Sequence, residues 1–125
     1  MVATPRSTGM VDASDVGKAM NEMISAQSSI TAFAGGGQAS ATVISRTFNR
    51  VTVCATIADS VKLPLARPGA EVKIANRGAA ACNVFPQTGE AINALANNTA
   101  LSLGVNAVGV YFCVLSGKWE AGTLT

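Results

Sequence analysis

The side chains that could do chemistry in this chain are hydroxyls, thiols and a few carboxylates, and no histidine accompanies them. A serine, threonine or cysteine nucleophile needs an adjacent base, most often a histidine. The sequence offers instead a serine two residues before a lysine, at Ser60–Lys62 and at Ser116–Lys118. Both pairs fall at predicted turns, where polar side chains are normally solvated. We therefore expect no nucleophilic enzyme.

The acidic residues do not form a recognisable pair either. There are seven carboxylates, and no two lie within two residues of each other. A two-carboxylate glycosidase would need Glu71, Glu90 or Glu120 to converge in a cleft. Trp119 and Tyr111 could stack on a sugar there, but a single Trp near the end of a β domain is more often a core or rim residue. The sequence thus predicts a protein that is not an enzyme.

Metal and cofactor sites are not indicated. The three cysteines, Cys54, Cys82 and Cys113, lie in apolar, strand-like contexts without a CxxC spacing. Without histidine there is no mixed zinc site, and we expect small buried thiols made in a reducing cytoplasm. The run Gly35-Gly36-Gly37 lacks the preceding strand and the Lys-Ser/Thr of a phosphate-binding loop, so a helix-to-sheet hinge is the better interpretation. We predict no metal and no cofactor.

The composition points to a surface that is partly covered. Apolar residues make up 49% of the chain and charged residues only 13%, about half the usual share. Burial in an oligomer or larger assembly would explain the shortage; a small, neutral β domain is the alternative. The net charge is +2 and the basic residues are scattered, whereas nucleic-acid binders need a concentrated basic face. No signal peptide or membrane span is predicted, and hence no nucleic-acid or membrane partner.

The N-terminal third is predicted to hold an arm and a helix. Residues 1–13 are polar and predict a flexible arm. Residues 14–37 predict a helix, capped at Ser14 or Asp15 and running to about Ala34, followed by the glycine hinge. Apolar spacings of four and three residues form a seam along this helix, which either packs on its own domain or meets symmetry mates about an axis. The seam comprises Val16, Met20, Met23, Gln27, Ile30 and Ala34.

Residues 38–125 predict one β domain. Short runs rich in β-branched residues alternate with Gly, Pro, Asn and Asp, which is typical of a jelly-roll-like β-sandwich or barrel. We predict eight strands, over 43–47, 51–57, 61–64, 71–76, 81–86, 100–103, 107–115 and 118–123. Two turns are specified by glycine: Pro68-Gly69 fits a type II turn, and Asn76-Arg77-Gly78 fits a hairpin connection with Gly78 in the left-handed conformation. The fold class is mainly β, preceded by an N-terminal helix.

Residues 38–122 resemble a small β domain encoded by many tailed bacteriophages. The resemblance rests on these motifs: Leu63-Pro64, Pro68-Gly69, Val72 to Ala79, Asn83-Val84-Phe85-Pro86, Gly89-Glu90-Ala91-Ile92-Asn93 and Gly117-Lys118-Trp119. Proteins with this pattern are similar to virion structural components: head decoration (cement) proteins, head fibres or tail-fibre modules. The helix and the arm lie outside the pattern.

The resemblance implies a homotrimeric capsid decoration protein that binds the outside of the assembled head, with the major capsid protein and itself as partners. The protein would be made in the host cytoplasm and reside on the capsid surface. The alternative is a head-fibre or tail-fibre module for host or carbohydrate recognition, with an exposed aromatic–carboxylate cleft at Trp119 or Tyr111. The residues predicted to serve assembly are Val16, Met20, Met23 and Ile30 in the seam, and Phe85, Ile92, Leu95 and Trp119 as core or intersubunit anchors.

Overall fold

The computed structural model describes residues 25–124, and this part of the chain is built from short strands. A single turn of 3-10 helix, Gln38–Ser40, interrupts them. Ten strands are present among the described residues: β1 (Ala26–Thr31), β2 (Thr42–Val43), β3 (Phe48–Val53), β4 (Ser60–Lys62), β5 (Glu71–Asn76), β6 (Cys82–Phe85), β7 (Ala91–Ile92), β8 (Leu101–Leu103), β9 (Val108–Leu115) and β10 (Lys118–Leu124).

The chain winds like a short solenoid between two sheets. Sheet A has the order β1-β3-β5-β9-β10-β7, and sheet B the order β2-β4-β6-β8. From β1 to β8 the strands alternate between the sheets, so each turn of the chain adds one strand to both. Neighbours added in this way, β1-β3-β5 and β2-β4-β6, are parallel. The β9–β10 hairpin closes the winding by pairing antiparallel to β5.

The core lies between the two sheets and collects the inward-facing residue of each pleat. On β9 and β10 these inward residues include Tyr111 and Trp119, the two largest side chains that are fully buried. Four polar residues are buried as well, namely Asn49, Asp59, Ser60 and Asn76. The aliphatic and thiol members of the core cluster are Ile30, Ala32, Ile44, Val51, Cys54, Val61, Leu63, Ala66, Val72, Ile74, Cys82, Val84, Ile92, Leu103 and Cys113.

The mainly β class is confirmed and the core lies between two sheets, but the jelly-roll-like topology is wrong. Jelly rolls are built from antiparallel Greek keys, but successive strands here return through the opposite sheet, which makes their in-sheet neighbours parallel. Single strands were easier to predict than their partners. The strand predicted over 71–76 coincides with β5, and the run 107–115 contains β9.

The predicted helix over 14–34 is wrong where it can be compared. Residues 26–31 form β1, which pairs parallel with β3 and places Ile30 opposite Val51 in the core. Within the described residues, β structure therefore begins at Ala26 rather than at Gln38. Pairing with β3 satisfies the backbone hydrogen bonds of this segment along one edge, and burial of Ile30 outweighs a weak helical seam. The first part of the predicted helix, with Val16, Met20 and Met23, and the arm over 1–13 lie outside the described residues.

Candidate interaction surface

The residues that might have formed a catalytic site are dispersed by the fold. Ser60 is fully buried under the Phe33–Gly36 segment, with its hydroxyl unpaired among the described residues. Glu90 accepts the backbone N–H of Ala66 through both carboxylate oxygens, at 3.1 and 3.2 Å. Glu71 lies exposed on sheet A, and Glu120 lines a shallow depression on the same side of the sheet. Within residues 25–124 no three His, Cys, Asp or Glu side chains come together as metal ligands would.

The Gly-Glu-x-Ile-Asn motif links β7 to β10 by hydrogen bonds. Asn93, with a φ of 54°, donates from its side chain to the carbonyl of Ala121 (3.2 Å) and accepts the N–H of the same residue (2.8 Å). Its backbone N–H donates to the carbonyl of Trp119. The amide side chain thus imitates a strand neighbour for β10 where β7 ends. Two residues upstream of Asn93 in the motif, Ala91 pairs with Lys118, which links the motif to the late Gly-Lys-Trp.

A second asparagine, Asn98, links the loop after β7 to the 3-10 helix between β1 and β2. The Oδ1 atom of Asn98 accepts the N–H of Gly89 (2.7 Å) and the side-chain amide of Gln38 (3.1 Å). The Gln38 amide also donates to the carbonyl of Pro86 at 2.8 Å. These contacts join segments that are far apart in the chain. The Asn-rich tail therefore has a structural role inside one subunit.

Asn76 completes the polar framework inside the core. Its amide nitrogen donates to the carbonyls of Ala80 (2.9 Å) and Leu103 (3.0 Å), and its oxygen accepts the N–H of Gly78 (2.9 Å). Gly78 is needed for close approach: a Cβ there would stand 2.6 Å from the Cβ of Cys54. The predicted hairpin at 76–78 is wrong, because β5 and β6 belong to different sheets and Gly78 is not left-handed.

The carboxylate of Asp59 organises the loop after β3. It accepts the Thr56 hydroxyl (2.8 Å) and the N–H groups of Ala55 (2.8 Å), Thr56 (3.3 Å) and Gly35 (3.2 Å). These donors, the Thr56 hydroxyl foremost, stabilise the ionised form and lower the pKa of Asp59. Every hydrogen bond of this carboxylate comes from a backbone N–H group or from the Thr56 hydroxyl. Asp59 therefore holds the loop after β3 against the loop that contains Gly35.

The three thiols are free and buried. Burial raises the pKa of Cys54 and raises that of Cys82 to about 12. A thiolate is the reactive form of cysteine, so Cys82 stays protonated and unreactive at neutral pH.

The predicted anchor residues occupy three different environments. Ile30, Ile92 and Trp119 are buried between the sheets of their own chain. Phe85 is half-buried on sheet B, and Leu95 is 36% exposed in the loop after β7. Tyr111 is buried beside Trp119's strand partner Cys113. The aromatic–carboxylate cleft expected of a carbohydrate module is therefore not formed by Trp119 or Tyr111.

Four of the twelve exposed large apolar residues among the described residues lie on one face of sheet A, and the other eight are spread over loops, edges and other strands. We call that face the outer face: the side of strands β3, β5, β9 and β10 of sheet A that points away from sheet B. Its residues are Phe48, Arg50, Glu71, Lys73, Ala75, Val108, Val110, Phe112, Val114, Lys118, Glu120, Gly122 and Leu124. Phe48 is 43% exposed, Phe112 45%, Leu124 58% and Val114 69%.

The strand register arranges these residues in three rows across the sheet. The first row is Arg50–Ala75–Val108–Leu124, the second is Phe48–Lys73–Val110–Gly122, and the third is Glu71–Phe112–Glu120. Lys73 lies 5.3 Å from the centre of the Phe48 ring and 3.0 Å from Glu71. Charged side chains thus sit among aromatic and aliphatic ones on this face.

At the β10 side of the outer face lies a shallow depression of about 430 Å³. Val110, Phe112 and Leu124 supply apolar walls, Glu120 supplies a carboxylate, and Gly122 leaves the floor without a side chain. A sequence signal for this face existed: the run 107–115 is apolar at both parities, as in strands buried on both sides. In the described residues only the inner side of β9 is covered.

None of the helical segments within residues 25–124 has the length and hydropathy to cross a membrane. A comparison of the chain with family models, with curated proteins and with solved structures found no match in any of the three.

Proposed function

We propose that this protein is a bacteriophage capsid decoration protein, a non-catalytic homotrimer that binds the outside of the assembled head and stabilises it. The observation that carries the proposal is the exposed, apolar outer face of sheet A. Monomeric soluble proteins rarely expose large contiguous apolar patches, and patches of this kind mark sites of protein association. The resemblance of residues 38–122 to virion structural proteins is the basis for placing this association on the capsid.

The apolar side chains of the outer face offset the cost of association only if an assembly covers all of them. Fully burying a Phe, Leu or Val side chain contributes about 1.5–3 kcal/mol, and the outer-face residues have roughly half of that still to gain. Association costs at least about 4 kcal/mol in lost rigid-body freedom, so Phe48, Phe112, Val114 and Leu124 must be covered together. A closed oligomer does this for every copy of the chain.

The fold suits a protein that acts by binding alone. The polar side chains at the corners, such as Asn76, Asn93 and Asp59, are committed to backbone contacts that hold the loops. A rigid body of this kind stabilises a shell by mass action, because it binds assembled subunits and not unfolded ones. In this proposal the major capsid protein is the partner, and the arm over residues 1–13 makes the attachment.

The test combines a mass measurement with capsid binding. We expect the purified protein to have three times the mass of the chain by light scattering. Undecorated heads of the phage that encodes it should bind the protein in co-sedimentation and should then withstand higher temperature before they rupture. A chain that stays outside the head pellet at micromolar concentration, while remaining folded, would remove the decoration proposal.

A further inference from the structure

Two of the three buried thiols lie next to each other between the sheets. Cys54 follows the last residue of β3 in sheet A, and Cys82 is the first residue of β6 in sheet B. Both side chains belong to the core cluster, with 1% and 0% of their surface exposed. Each sheet therefore contributes one thiol to this part of the core.

Backbone contacts hold Cys54 against the segment that leads into Cys82. The carbonyl of Cys54 accepts the N–H of Ala80 at 2.9 Å. The Sγ atom of Cys54 lies 3.4 Å from the carbonyl oxygen of Ala81, which belongs to the same peptide group as the Cys82 nitrogen. The two thiol side chains are also hydrogen-bonded to each other. Gly78 permits this close approach, since a Cβ there would stand 2.6 Å from the Cβ of Cys54. The fold thus brings together two thiols that are far apart in the chain.

We propose that Cys54 and Cys82 are an oxidisable pair, which forms a disulfide between sheet A and sheet B when the protein meets a peroxide. The bond shortens the sulfur–sulfur separation to about 2 Å, and the adjoining loop over residues 55–58 is exposed and can adjust. The pair stays reduced in the cytoplasm and closes after release to an oxidising environment. It does not depend on the decoration role.

Cys54 is the thiol that reacts first. Burial raises its pKa, and the hydrogen bond from Cys82 lowers that pKa again in part. Burial and the neighbouring Cys54 raise the pKa of Cys82 to about 12. The reactive form is the thiolate, so Cys54 is the nucleophile of the pair. Opening of the exposed loop over residues 55–58, directly after Cys54, admits a small oxidant.

The reaction consumes one hydrogen peroxide and yields two waters. The Cys54 thiolate attacks one peroxide oxygen, the O–O bond breaks, and the departing hydroxide takes up the proton that Cys54 released. Cys54 is then a sulfenic acid. The Cys82 sulfur attacks the sulfur of this sulfenic acid, the S–O bond breaks, and the hydroxyl leaves as water with the Cys82 proton. Two thiols are oxidised to one disulfide, and the peroxide is reduced.

The bridge should raise the unfolding temperature. It closes a loop of chain that contains β4 and β5, and closing such a loop lowers the entropy of the unfolded chain. The oxidised protein should therefore unfold about 10 °C above the reduced protein.

The test is oxidation of the folded, full-length chain by hydrogen peroxide, followed by titration of the remaining thiols in denaturant. The unmodified chain should fall from three thiols to one. Cys113→Ala is the matched control, because it removes the third thiol, whose Sγ donates to the carbonyl of Leu115. It should lose both of its thiols and show the same rise in unfolding temperature. Cys54→Ala and Cys82→Ala should form no bridge within the chain and show no rise.

The Cys113→Ala chain decides the question even if the other two variants do not fold. Both thiols retained after oxidation of the folded protein, oxidation of Cys54 to a sulfinic acid without a bridge, or a bridge that forms only in denaturant would overturn the proposal. Reversal of the bridge and of the temperature rise by dithiothreitol would support it.

Discussion

The two faces of sheet A are made by the same strands and differ in what covers them. Tyr111 and Trp119 point inward and are buried against sheet B, whereas their neighbours Phe112 and Glu120 point outward. Both faces of β9 are apolar, but only the inner one has found a partner within the described residues. Apolar character alone therefore does not define a core: the inner face stabilises the fold, and the outer face is available for association.

The largest expected effect is on the inner face. Trp119→Ala should lower the free energy of unfolding by about 3–5 kcal/mol, because it removes a fully buried ring and leaves a cavity. Chemical denaturation at a fixed protein concentration measures this. Phe112→Ala, on the opposite side of the sheet, should cost under ~1 kcal/mol when the comparison is made at a concentration where the chains are dissociated. Equal losses from the two substitutions would mean that the faces do not differ as described.

The second prediction concerns a substitution that should weaken self-association and leave the stability of the single chain almost unchanged. Phe112→Asp should weaken self-association about thirtyfold, since a hot-spot aromatic is replaced by a charge that must be desolvated. The unfolding free energy of the dissociated chain should change little. Analytical ultracentrifugation over a concentration series reports the association. Ile57→Asp is the control, because Ile57 is 75% exposed in the loop after β3. Association that survives Phe112→Asp would exclude the outer face as the interface.

The third prediction concerns acid, which should act on the fold through Asp59. Its pKa is lower in the folded protein than in the unfolded chain, because the donors around it favour the carboxylate. Its stabilising contribution is therefore present above about pH 4 and is lost as the pH falls through the folded pKa. Asp59→Asn should destabilise the protein at pH 7 and flatten the acid-induced loss, as measured by urea denaturation from pH 7 to pH 3.

A substitution of Thr56, whose hydroxyl donates to Asp59, checks that the acid dependence comes from this carboxylate. Thr56→Val removes the hydroxyl that contributes most to the low pKa. It should change the acid dependence in the same direction as Asp59→Asn and by a smaller amount. A steep acid dependence that persists in both variants would assign the effect to other carboxylates.

The smallest effect on the fold is expected from the N-terminus. Deleting residues 1–13 should leave a folded oligomer with an unchanged unfolding midpoint, because both faces of sheet A are built from later residues. Capsid binding should be lost, as co-sedimentation with heads would show. Full decoration by the truncated protein would separate the arm from attachment and return that role to the β body.

Short-range features of the fold could be predicted well. The type II turn at Pro68-Gly69 is confirmed: Gly69 has a φ of 93° and Ala70 donates to the carbonyl of Arg67. This succeeded because turn conformation depends on a few adjacent residues. The helix predicted over 14–34 is wrong for residues 26–31, which form β1. The apolar seam through Ile30 favours a helix, but pairing with the edge of β3 is more stable, and the sequence does not reveal that this edge is near. For the candidate surface, the sequence shows that residues 107–115 are apolar on both sides of the strand. No local sequence feature indicates that Phe48 lies on the same face and in the same row as Val110.

Three properties follow from the residues alone: strands dominate, Gly69 turns the chain, and histidine-based catalysis has no residues to use. The alternation of successive strands between two sheets, and their parallel pairing, follow only from the packing of the folded chain. The same packing places Phe48 and Gly122, distant in the chain, in one row of one face. The physical reason is range: alternation and turn chemistry act over a few residues, whereas strand pairing is set by contacts between segments far apart in the chain.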